Sequence, residues 1–165
     1  MKISTKMIVI SAMFASLVCV ATMIIKIPTF LGGYINLGDG LVLLSGWMLP
    51  LPYGLLAAGI GSALADIFSG YIIYAPVTFI IKSLMAVLAW ALFNLFSKKL
   101  SRTISRILSG TFSEVLMIGG YFLFEGIIYS FASALINIPA NAIQGLAGLV
   151  ISILLIKVLK SKRIG

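Results

Sequence analysis

Long apolar runs, separated by short polar or Gly- and Pro-containing segments, extend over almost the whole chain. A helix that crosses a bilayer needs roughly 20 apolar residues, or about 17 when it is packed inside a bundle. The runs predict six helices, at about residues 7–25, 39–49, 53–69, 77–96, 107–131 and 139–159. We therefore expect an all-α integral membrane protein whose single domain, residues 1–165, is a bundle of six transmembrane helices.

Proline and glycine set the breaks between these predicted helices. Pro50 and Pro52 separate the second helix from the third, and the Gly-rich segment 28–40 predicts a loop or a partly re-entrant segment. Pro139 suits the first turn of the sixth helix, where its missing N–H costs nothing. On this prediction residues 132–138 form a loop that precedes the sixth helix.

The composition excludes the soluble classes of protein. Of the 165 residues, 61% are hydrophobic and 10% are charged, whereas soluble domains carry about 25% charged residues. This rules out a water-soluble globular enzyme and a disordered chain. The net charge of +8 does not by itself indicate a nucleic-acid binder, because that function needs a basic cluster on a polar face.

The positions of the positive charges predict the topology. Of the twelve Lys and Arg residues, ten lie at the N-terminus, in segment 98–106 between helices four and five, or at the C-terminus. Cytoplasmic segments are enriched in Lys and Arg, and six crossings place all three clusters on one side. We therefore expect both termini in the cytoplasm, whereas merging helices two and three would put the two basic ends on opposite sides.

The inventory of reactive side chains excludes most catalytic chemistry. The chain contains no His, which is the commonest metal ligand and general base. Its one cysteine, Cys19, lies in an apolar run and is expected to serve packing. Walker, GxGxxG and GxSxG motifs are absent. We expect no catalytic residue, no metal, no cofactor in this chain and no nucleic-acid partner.

Four ionisable residues fall inside the predicted helices: Asp66, Lys82, Glu114 and Glu125. Charges within a bilayer are costly, so each is a candidate for a functional site. Asp66 and Lys82 have opposite charges on adjacent helices. They form either a structural ion pair or a ligand contact by Lys82 that Asp66 orients. Glu114 lies nearer the cytoplasmic end, where it could pair with basic residues, and its role stays open.

Tyr121, Glu125 and Tyr129 share one face of the fifth helix, because they follow the spacing i, i+4, i+8. Two aromatic rings around a carboxylate could hold a flat, polar ring. The alternative is the ordinary band of tyrosines near a membrane interface.

Asn137, Asn141 and Gln144 form a corresponding stripe of amides before and along the sixth helix. Amides both donate and accept hydrogen bonds, which suits recognition of an uncharged ligand with several polar groups. The alternative is hydrogen bonding between helices, worth about 0.6 kcal/mol on average in membranes.

Small residues on the first helix predict close helix packing. Ser11 and Ala15, and likewise Ala12 and Ser16, are four residues apart, the small-xxx-small spacing that lets two helix backbones approach. Their partner is either another helix of this chain or a helix of a second protein.

Five sequence segments together resemble a known family: Asn36-Leu37-Gly38-Asp39, residues 59–66, residues 75–82, residues 120–125 and residues 138–145. They are similar to the S components of energy-coupling factor (ECF) vitamin transporters, in the riboflavin-type branch that includes hydroxymethylpyrimidine and pyridoxine carriers. The resemblance covers nearly the whole chain. It implies a six-helix subunit of a bacterial cell membrane that captures a vitamin from outside.

The resemblance also implies partners. Such a subunit works with a transmembrane T component and two cytoplasmic ATPase subunits, which use the ATP, and small residues of the first helix contact the T component. Ser11, Ala12, Ala15 and Ser16 match that position. The expected ligand is a small heteroaromatic vitamin or precursor of the pyridoxine or hydroxymethylpyrimidine type, with riboflavin as the alternative. A different class, a membrane scaffold or assembly subunit without transport function, stays open.

The candidate site combines these patterns with the family's use of the first outward loop and helices four to six. The predicted ligand contacts are Asn36, Tyr74, Lys82, Tyr121, Glu125, Tyr129, Asn141 and Gln144. The predicted supporting residues are Asp39, Asp66 and Asn137. In this hypothesis the tyrosines stack on or hydrogen-bond the ring, Asp39 caps the second helix, and Asp66 balances the charge of Lys82.

Overall fold

The computed structural model describes residues 4–29 and 33–161. The basic residues Lys2, Lys162 and Arg163, which contribute to the predicted topology, lie outside the described residues. The described elements, in chain order, are α1 (Thr5–Ile24), β1 (Lys26–Pro28), β2 (Tyr34–Asn36), α2 (Asp39–Met48), α3 (Leu51–Phe68), α4 (Ala75–Phe96), α5 (Arg102–Ile128) and α6 (Phe131–Ser161).

Five of these helices, all except α2, are long and apolar enough to cross a membrane. Their outward faces carry many exposed Leu, Ile, Val and Phe side chains, as expected for surfaces that lipid covers. The prediction of a strongly apolar, helical protein is therefore confirmed in its coarse form. Helix α2 differs from these five in length, because its 10 residues measure only about 15 Å.

The short helix α2 occupies the interior of the bundle, with eight of its ten residues buried. It packs against α3, α4 and α6. Gly46 makes the approach to α4 possible, because a Cβ atom there would lie 2.6 Å from the Ala86 carbonyl oxygen. Position 46 therefore has room only for glycine unless the two helices separate.

α1 and α3 run parallel and touch along their lengths. At their starts, Ser4 N donates to the Tyr53 hydroxyl at 3.4 Å, and beyond their ends Lys26 Nζ donates to Ser69 Oγ at 2.9 Å. Midway, Gly61 of α3 lies against the main chain of Ala15. The chain between α1 and α3 must therefore run back from one end of the bundle to the other.

The segment 28–40, which the sequence predicts as a loop, contains part of a two-stranded antiparallel hairpin. The register pairs Lys26 with Asn36 and Pro28 with Tyr34. The hairpin lies at the end of the bundle where α3 ends and α4 begins, as the bond from Lys26 to Ser69 indicates. The described part thus consists of helices, these two strands of three residues each and the short connections between them.

The expected loop at residues 132–138 is helical instead, and the placement of Pro139 in a first helical turn is wrong. α6 begins at Phe131, and Pro139 lies inside it. Ser130 starts the helix, since its hydroxyl accepts from Ser133 N at 3.1 Å and its carbonyl from Ala134 N at 2.9 Å. Proline inside a membrane helix is tolerated because neighbouring helices re-satisfy the freed backbone groups.

The start of α5 also differs from the prediction, at Arg102 rather than near residue 107. The hydroxyl of Ser101 accepts a hydrogen bond from Ile104 N at 3.3 Å and so caps the helix. The basic segment 98–106 is consequently in large part the first turn of α5 rather than a loop.

Candidate functional site

A polar cavity opens at the hairpin end of the bundle, between the hairpin and α1, α3, α4, α5 and α6. The empty space in the cavity and at its mouth, with open solvent included, is about 480 Å³. It is lined by Thr22, Thr29, Gly33, Tyr34, Asn36, Ser62, Asp66, Tyr74, Thr78, Lys82, Tyr121, Glu125, Asn141 and Gln144. Most of these side chains are polar, although they lie inside a bundle whose outer surface is apolar. Convergent polar groups fix the orientation of a ligand in small-molecule sites, and this cavity has more of them than most such sites do.

A buried ion pair forms part of the floor of the cavity. Lys82 Nζ of α4 donates to Asp39 Oδ1 of α2, and neither side chain is more than 3% exposed. The expected pairing of Lys82 with Asp66 is therefore wrong, and so is the role of Asp39 as a helix cap. The physical reason is the depth of α2, whose first residue lies in the centre of the bundle beside α4.

Amides extend this ion pair into a network that reaches the hairpin. Gln144 Nε2 of α6 donates to Asp39 Oδ2 at 2.7 Å. Gln144 Oε1 accepts from Asn36 N at 2.9 Å and from Asn36 Nδ2 at 3.3 Å, and Asn36 Oδ1 accepts from Gly38 N at 2.9 Å. Lys82, Asp39, Gln144 and Asn36 thus hold α4, α2, α6 and β2 in one arrangement.

Asp66 of α3 lies in the wall of the cavity, 4% exposed. Its Oδ1 accepts a hydrogen bond from the Tyr34 hydroxyl at 2.7 Å. Its Oδ2 is buried and accepts no hydrogen bond from any described residue. The phenol of Tyr34 is therefore the donor to this carboxylate.

Glu125 of α5 forms a second buried carboxylate, 3% exposed. Asn137 Nδ2 donates to both of its oxygens at 3.1 Å, and the Tyr74 hydroxyl donates to Oε1 at 3.5 Å. Burial first, then the charge of Glu125 and the contact with Tyr129, raise the pKa of Tyr74. Asn137 therefore holds the carboxylate of Glu125 in place, and its supporting role in ligand binding stays a prediction.

Tyr121 and Thr78 lie between these two carboxylates and the ion pair. The Tyr121 hydroxyl and Thr78 Oγ1 are 3.1 Å apart and share a hydrogen bond. Lys82 Nζ lies 5.5 Å from the centre of the Tyr121 ring, within the range of a cation–π interaction. An aromatic surface therefore borders the cavity next to its one lining cation.

Comparison with known proteins identifies the family. Residues 2–161 match the family described as "ECF-type riboflavin transporter, S component". The chain belongs to this family of ECF transporter S components. A solved S component of a bacterial ECF transporter has the same fold, with a TM-score of 0.71 and 24% identity, over 94% of this chain and 96% of that one. An uncharacterized protein of Pyrococcus woesei, in the "gap 3'region", is 34% identical over 151 residues, which cover 90% of this chain and 97% of the relative.

The expected resemblance to ECF S components is therefore confirmed, and with it a membrane-embedded, substrate-binding subunit of a vitamin transporter. The family is one of transporter subunits rather than of enzymes. S components of ECF transporters work with a T component and ATPases.

The cavity of this S component brings together most of the residues that the sequence singles out. The predicted ligand residues in its lining are Asn36, Tyr74, Lys82, Tyr121, Glu125, Asn141 and Gln144. Tyr129 is not among them, because it ends α5 and is 46% exposed. Of the predicted supporting residues, Asp66 lines the cavity, whereas Asp39 and Asn137 lie behind lining residues and hold them. Contact of any of these side chains with a ligand stays a prediction.

Several lining residues carry no signal in the sequence: Thr22, Thr29, Gly33, Tyr34, Ser62 and Thr78. Isolated hydroxyls and a glycine form no periodic pattern. Ser62 and Thr78 nevertheless lie inside two of the segments that resemble the family, which is the signal that could have found them. The hydroxyls of Thr22, Thr29 and Ser62 are buried and make no hydrogen bond to described residues.

Glu114 lies in the interior, near the Lys82–Asp39 pair, rather than among the basic residues of the cytoplasmic end. Its side chain is 5% exposed and packs against Gly145 and Gly148 of α6. Both of its carboxylate oxygens lack a hydrogen-bond partner among the described residues. The lone salt bridge within residues 4–29 and 33–159 is that of Lys82 with Asp39, so the suggested pairing of Glu114 with basic residues is not observed.

The small residues of α1 form one wall of an apolar groove between α1 and α3, called here the α1–α3 groove. Ser11, Ala12, Ala15 and Ser16 line it together with Cys19 and, on α3, residues such as Leu56 and Ile60. Its empty volume is about 1170 Å³. Ser11 and Ser16 bond to main-chain oxygens of Tyr53 and Ala12, which hides their hydroxyls and leaves the groove apolar.

Proposed function

We propose that this S component captures a small heteroaromatic vitamin or vitamin precursor, of the pyridoxine or hydroxymethylpyrimidine type, from outside the cell. The observation that carries the proposal is the set of buried, unpartnered polar atoms around one cavity: Asp66 Oδ2 and the hydroxyls of Thr22, Thr29 and Ser62. Buried polar groups in proteins are nearly always hydrogen-bonded, so a polar ligand, or water before it binds, would complete them. Tyr121, beside them, offers a ring for stacking.

Riboflavin is the second candidate, because the family that matches this chain is described by that vitamin. The two candidates differ in size and in polar groups. The identity of the natural ligand would separate them, and it would also separate both from a membrane scaffold that binds nothing.

The topology that goes with this proposal has six crossings and both termini in the cytoplasm of a bacterial cell. α1 and α3 run parallel, so the chain between them has to return. Strand β2 and α2 together extend about 25 Å, close to the thickness of the hydrocarbon core. The basic segment 98–106 lies at the opposite end of α4 and α5 from the cavity, so the positive-inside rule favours a cavity open to the outside.

The proposed partners are a transmembrane T component and two cytoplasmic ATPase subunits, which would use the ATP; the S component itself would hold no cofactor. The α1–α3 groove is the proposed docking surface for the T component. Its support is the small, apolar wall that Ala12 and Ala15 provide, because small residues let helices of two membrane proteins approach closely.

The first experiment identifies the ligand. Protein purified in detergent is denatured, and any released small molecule is identified by mass spectrometry. Titration calorimetry with pyridoxine, hydroxymethylpyrimidine and riboflavin then ranks the affinities. We expect a pyridine or pyrimidine ring to be released and to bind most tightly; a protein that releases and binds none of them would contradict the proposal.

Variants test the assignment of the cavity. Asn141→Ala and Glu125→Gln are each expected to weaken ligand binding by more than about tenfold, a loss of about 1.4 kcal/mol. The matched controls are Asn94→Ala, an exposed amide on α4, and Glu114→Gln, a buried carboxylate outside the lining. Unchanged affinity in both cavity variants would show that this cavity is not the site.

The docking surface is tested separately. Ala15→Trp fills the α1–α3 groove and is expected to abolish co-purification with a T component while leaving ligand affinity unchanged. Leu135→Trp, on the exposed face of α6, is the matched control. Co-purification that survives Ala15→Trp would exclude the groove as the docking surface.

A further inference from the structure

The charged side chains around the cavity do not balance. Three of them line it: Lys82, Asp66 and Glu125. The charge of Lys82 is already compensated, because its ammonium group forms the salt bridge with Asp39. Lys26, the other lysine at this end of the bundle, is exposed and donates to Ser69 Oγ. Two carboxylates therefore face the cavity without a salt bridge to any described residue, although the charge of Lys82 is close enough to act on Asp66.

The two carboxylates differ in how well the protein satisfies them. Glu125 accepts bonds from Asn137 and Tyr74, with both of its oxygens partnered. Asp66 accepts a hydrogen bond from Tyr34 on Oδ1, and Thr78 and Lys82 also interact with its carboxylate. Its Oδ2 nevertheless makes no hydrogen bond of good geometry to a described residue, although the side chain is only 4% exposed. A buried ionised group is stable when a counter-ion or further donors complete it. A bound ligand can supply the counter-ion and the further hydrogen-bond donor at Asp66 Oδ2.

We propose that the ligand is a basic heteroaromatic compound, which carries a positive charge or a protonated ring nitrogen in the site, and that Asp66 Oδ2 is its counter-ion. A ligand with a carboxylate or phosphate group is excluded, because it would add a negative charge beside Asp66 and Glu125 with no free cation to receive it. This inference rests on the proposed function and narrows its substrate class. It also favours pyridine and pyrimidine bases over riboflavin, whose ring system is neutral.

The aromatic side chains at the cavity also favour a positively charged, flat ligand. Tyr121 borders the cavity beside Lys82, and Tyr34, which holds Asp66, also packs on Tyr71 with ring centroids 4.6 Å apart. A positively charged flat ring is attracted to aromatic faces as well as to carboxylates. The hydroxyls of Thr22, Thr29 and Ser62 can accept hydrogen bonds from amino or hydroxyl groups on that ring.

The test uses full-length protein in detergent and a panel of probes matched in ring but not in charge. Pyridoxamine and hydroxymethylpyrimidine, an aminopyrimidine, represent the bases; pyridoxamine phosphate and pyridoxic acid carry added anionic groups; riboflavin is the neutral ring. Calorimetry measures each affinity. We expect at least one base to bind. The anionic probe with the same ring is expected to bind at least about 100-fold more weakly, since each 1.4 kcal/mol of binding free energy corresponds to a factor of ten in affinity.

The variant Asp66→Asn removes the proposed counter-ion and keeps the side-chain shape. It is expected to weaken binding of the base at least tenfold, since hydrogen bonds to an ionised group are roughly twice as strong as neutral ones. Glu114→Gln, a carboxylate outside the lining, is the control and should leave affinity unchanged. Size-exclusion elution and thermal unfolding check that Asp66→Asn is folded; if it is not, the probe panel with the unaltered protein decides alone.

The outcomes separate this inference from the proposed function. Tight binding of pyridoxic acid, pyridoxamine phosphate or riboflavin in preference to the bases would overturn the charge assignment and leave the vitamin-binding function standing. Unchanged base affinity in folded Asp66→Asn would overturn the counter-ion role. Binding of no probe, together with no molecule released from the purified protein, would overturn both.

Discussion

The pairing of Lys82 with Asp39 makes a sharp prediction, because Asp39 and Asp66 are two buried aspartates of which one alone bonds the lysine. Replacing Asp39 by Asn leaves the Lys82 ammonium buried without its counter-ion. Breaking a buried ion pair from one side costs about 3–5 kcal/mol, and both members here are at most 3% exposed. Asp66→Asn leaves that pair intact and should cost about 1 kcal/mol or less, since Tyr34 can still donate to the amide oxygen.

The assay is thermal unfolding of the purified, ligand-free protein in detergent. For a chain of this size, 1 kcal/mol corresponds to about 2–4 °C in Tm. Asp39→Asn is therefore expected to unfold about 6–20 °C below the unaltered protein, and Asp66→Asn within about 4 °C of it.

A double variant tests whether the loss comes from the unpaired charge. In Lys82→Met with Asp39→Asn, no unpaired lysine remains, so the double variant should be more stable than Asp39→Asn alone. The reasoning is refuted if Asp66→Asn lowers Tm as much as Asp39→Asn, or if the double variant is no more stable than the single one.

Two further variants test the packing around this site. Glu114→Gln should unfold at the same temperature as the unaltered protein or at a higher one, because neither oxygen of the buried carboxylate has a hydrogen-bond partner among the described residues. A fall in Tm of more than about 5 °C, over 1 kcal/mol, would show that the charge is stabilising. Gly46→Ala should lower Tm, because its Cβ would meet the Ala86 carbonyl oxygen and overpacking costs about 1–3 kcal/mol. Gly119→Ala is the control: a Cβ atom there would have no neighbour within 4 Å, so Tm should stay unchanged or rise.

The helices could be predicted from the sequence because the chemistry of a bilayer leaves long apolar runs little alternative. Two predicted helix starts are wrong, and at both of them a serine hydroxyl caps the helix earlier than the proline or the apolar run indicates. Ser130 starts α6 ahead of Pro139, and Ser101 starts α5 ahead of the apolar run. Serine hydroxyls are too common in a sequence to indicate a helix start by themselves. A proline is a stronger signal, so the predicted helix start is placed at the proline.

The sequence predicts most of the residues of the candidate site, but not which of them bond to each other. Spacing along one helix identifies a shared face, so Glu125 and the amides of α6 could be found. Which aspartate meets Lys82 depends on how deep the short helix α2 lies in the bundle, and no periodicity within a helix encodes that depth. Asp66 was the plausible partner because α3 and α4 are adjacent in the chain; Asp39 is the actual one because α2 packs in the centre.

The correction of that pair changes what the cavity can bind. Had Asp66 neutralised Lys82, the cavity would hold one surplus carboxylate, Glu125, with both oxygens already partnered by Asn137 and Tyr74. Because Asp39 forms the salt bridge with Lys82 from behind the cavity, Asp66 has no salt bridge to a described residue, and its Oδ2 makes no hydrogen bond of good geometry there. A protein interior does not keep such a group at low cost. This is why we propose that the bound ligand supplies the missing charge or donor at Asp66 Oδ2, a consequence of how deep the ten-residue helix α2 lies in the bundle.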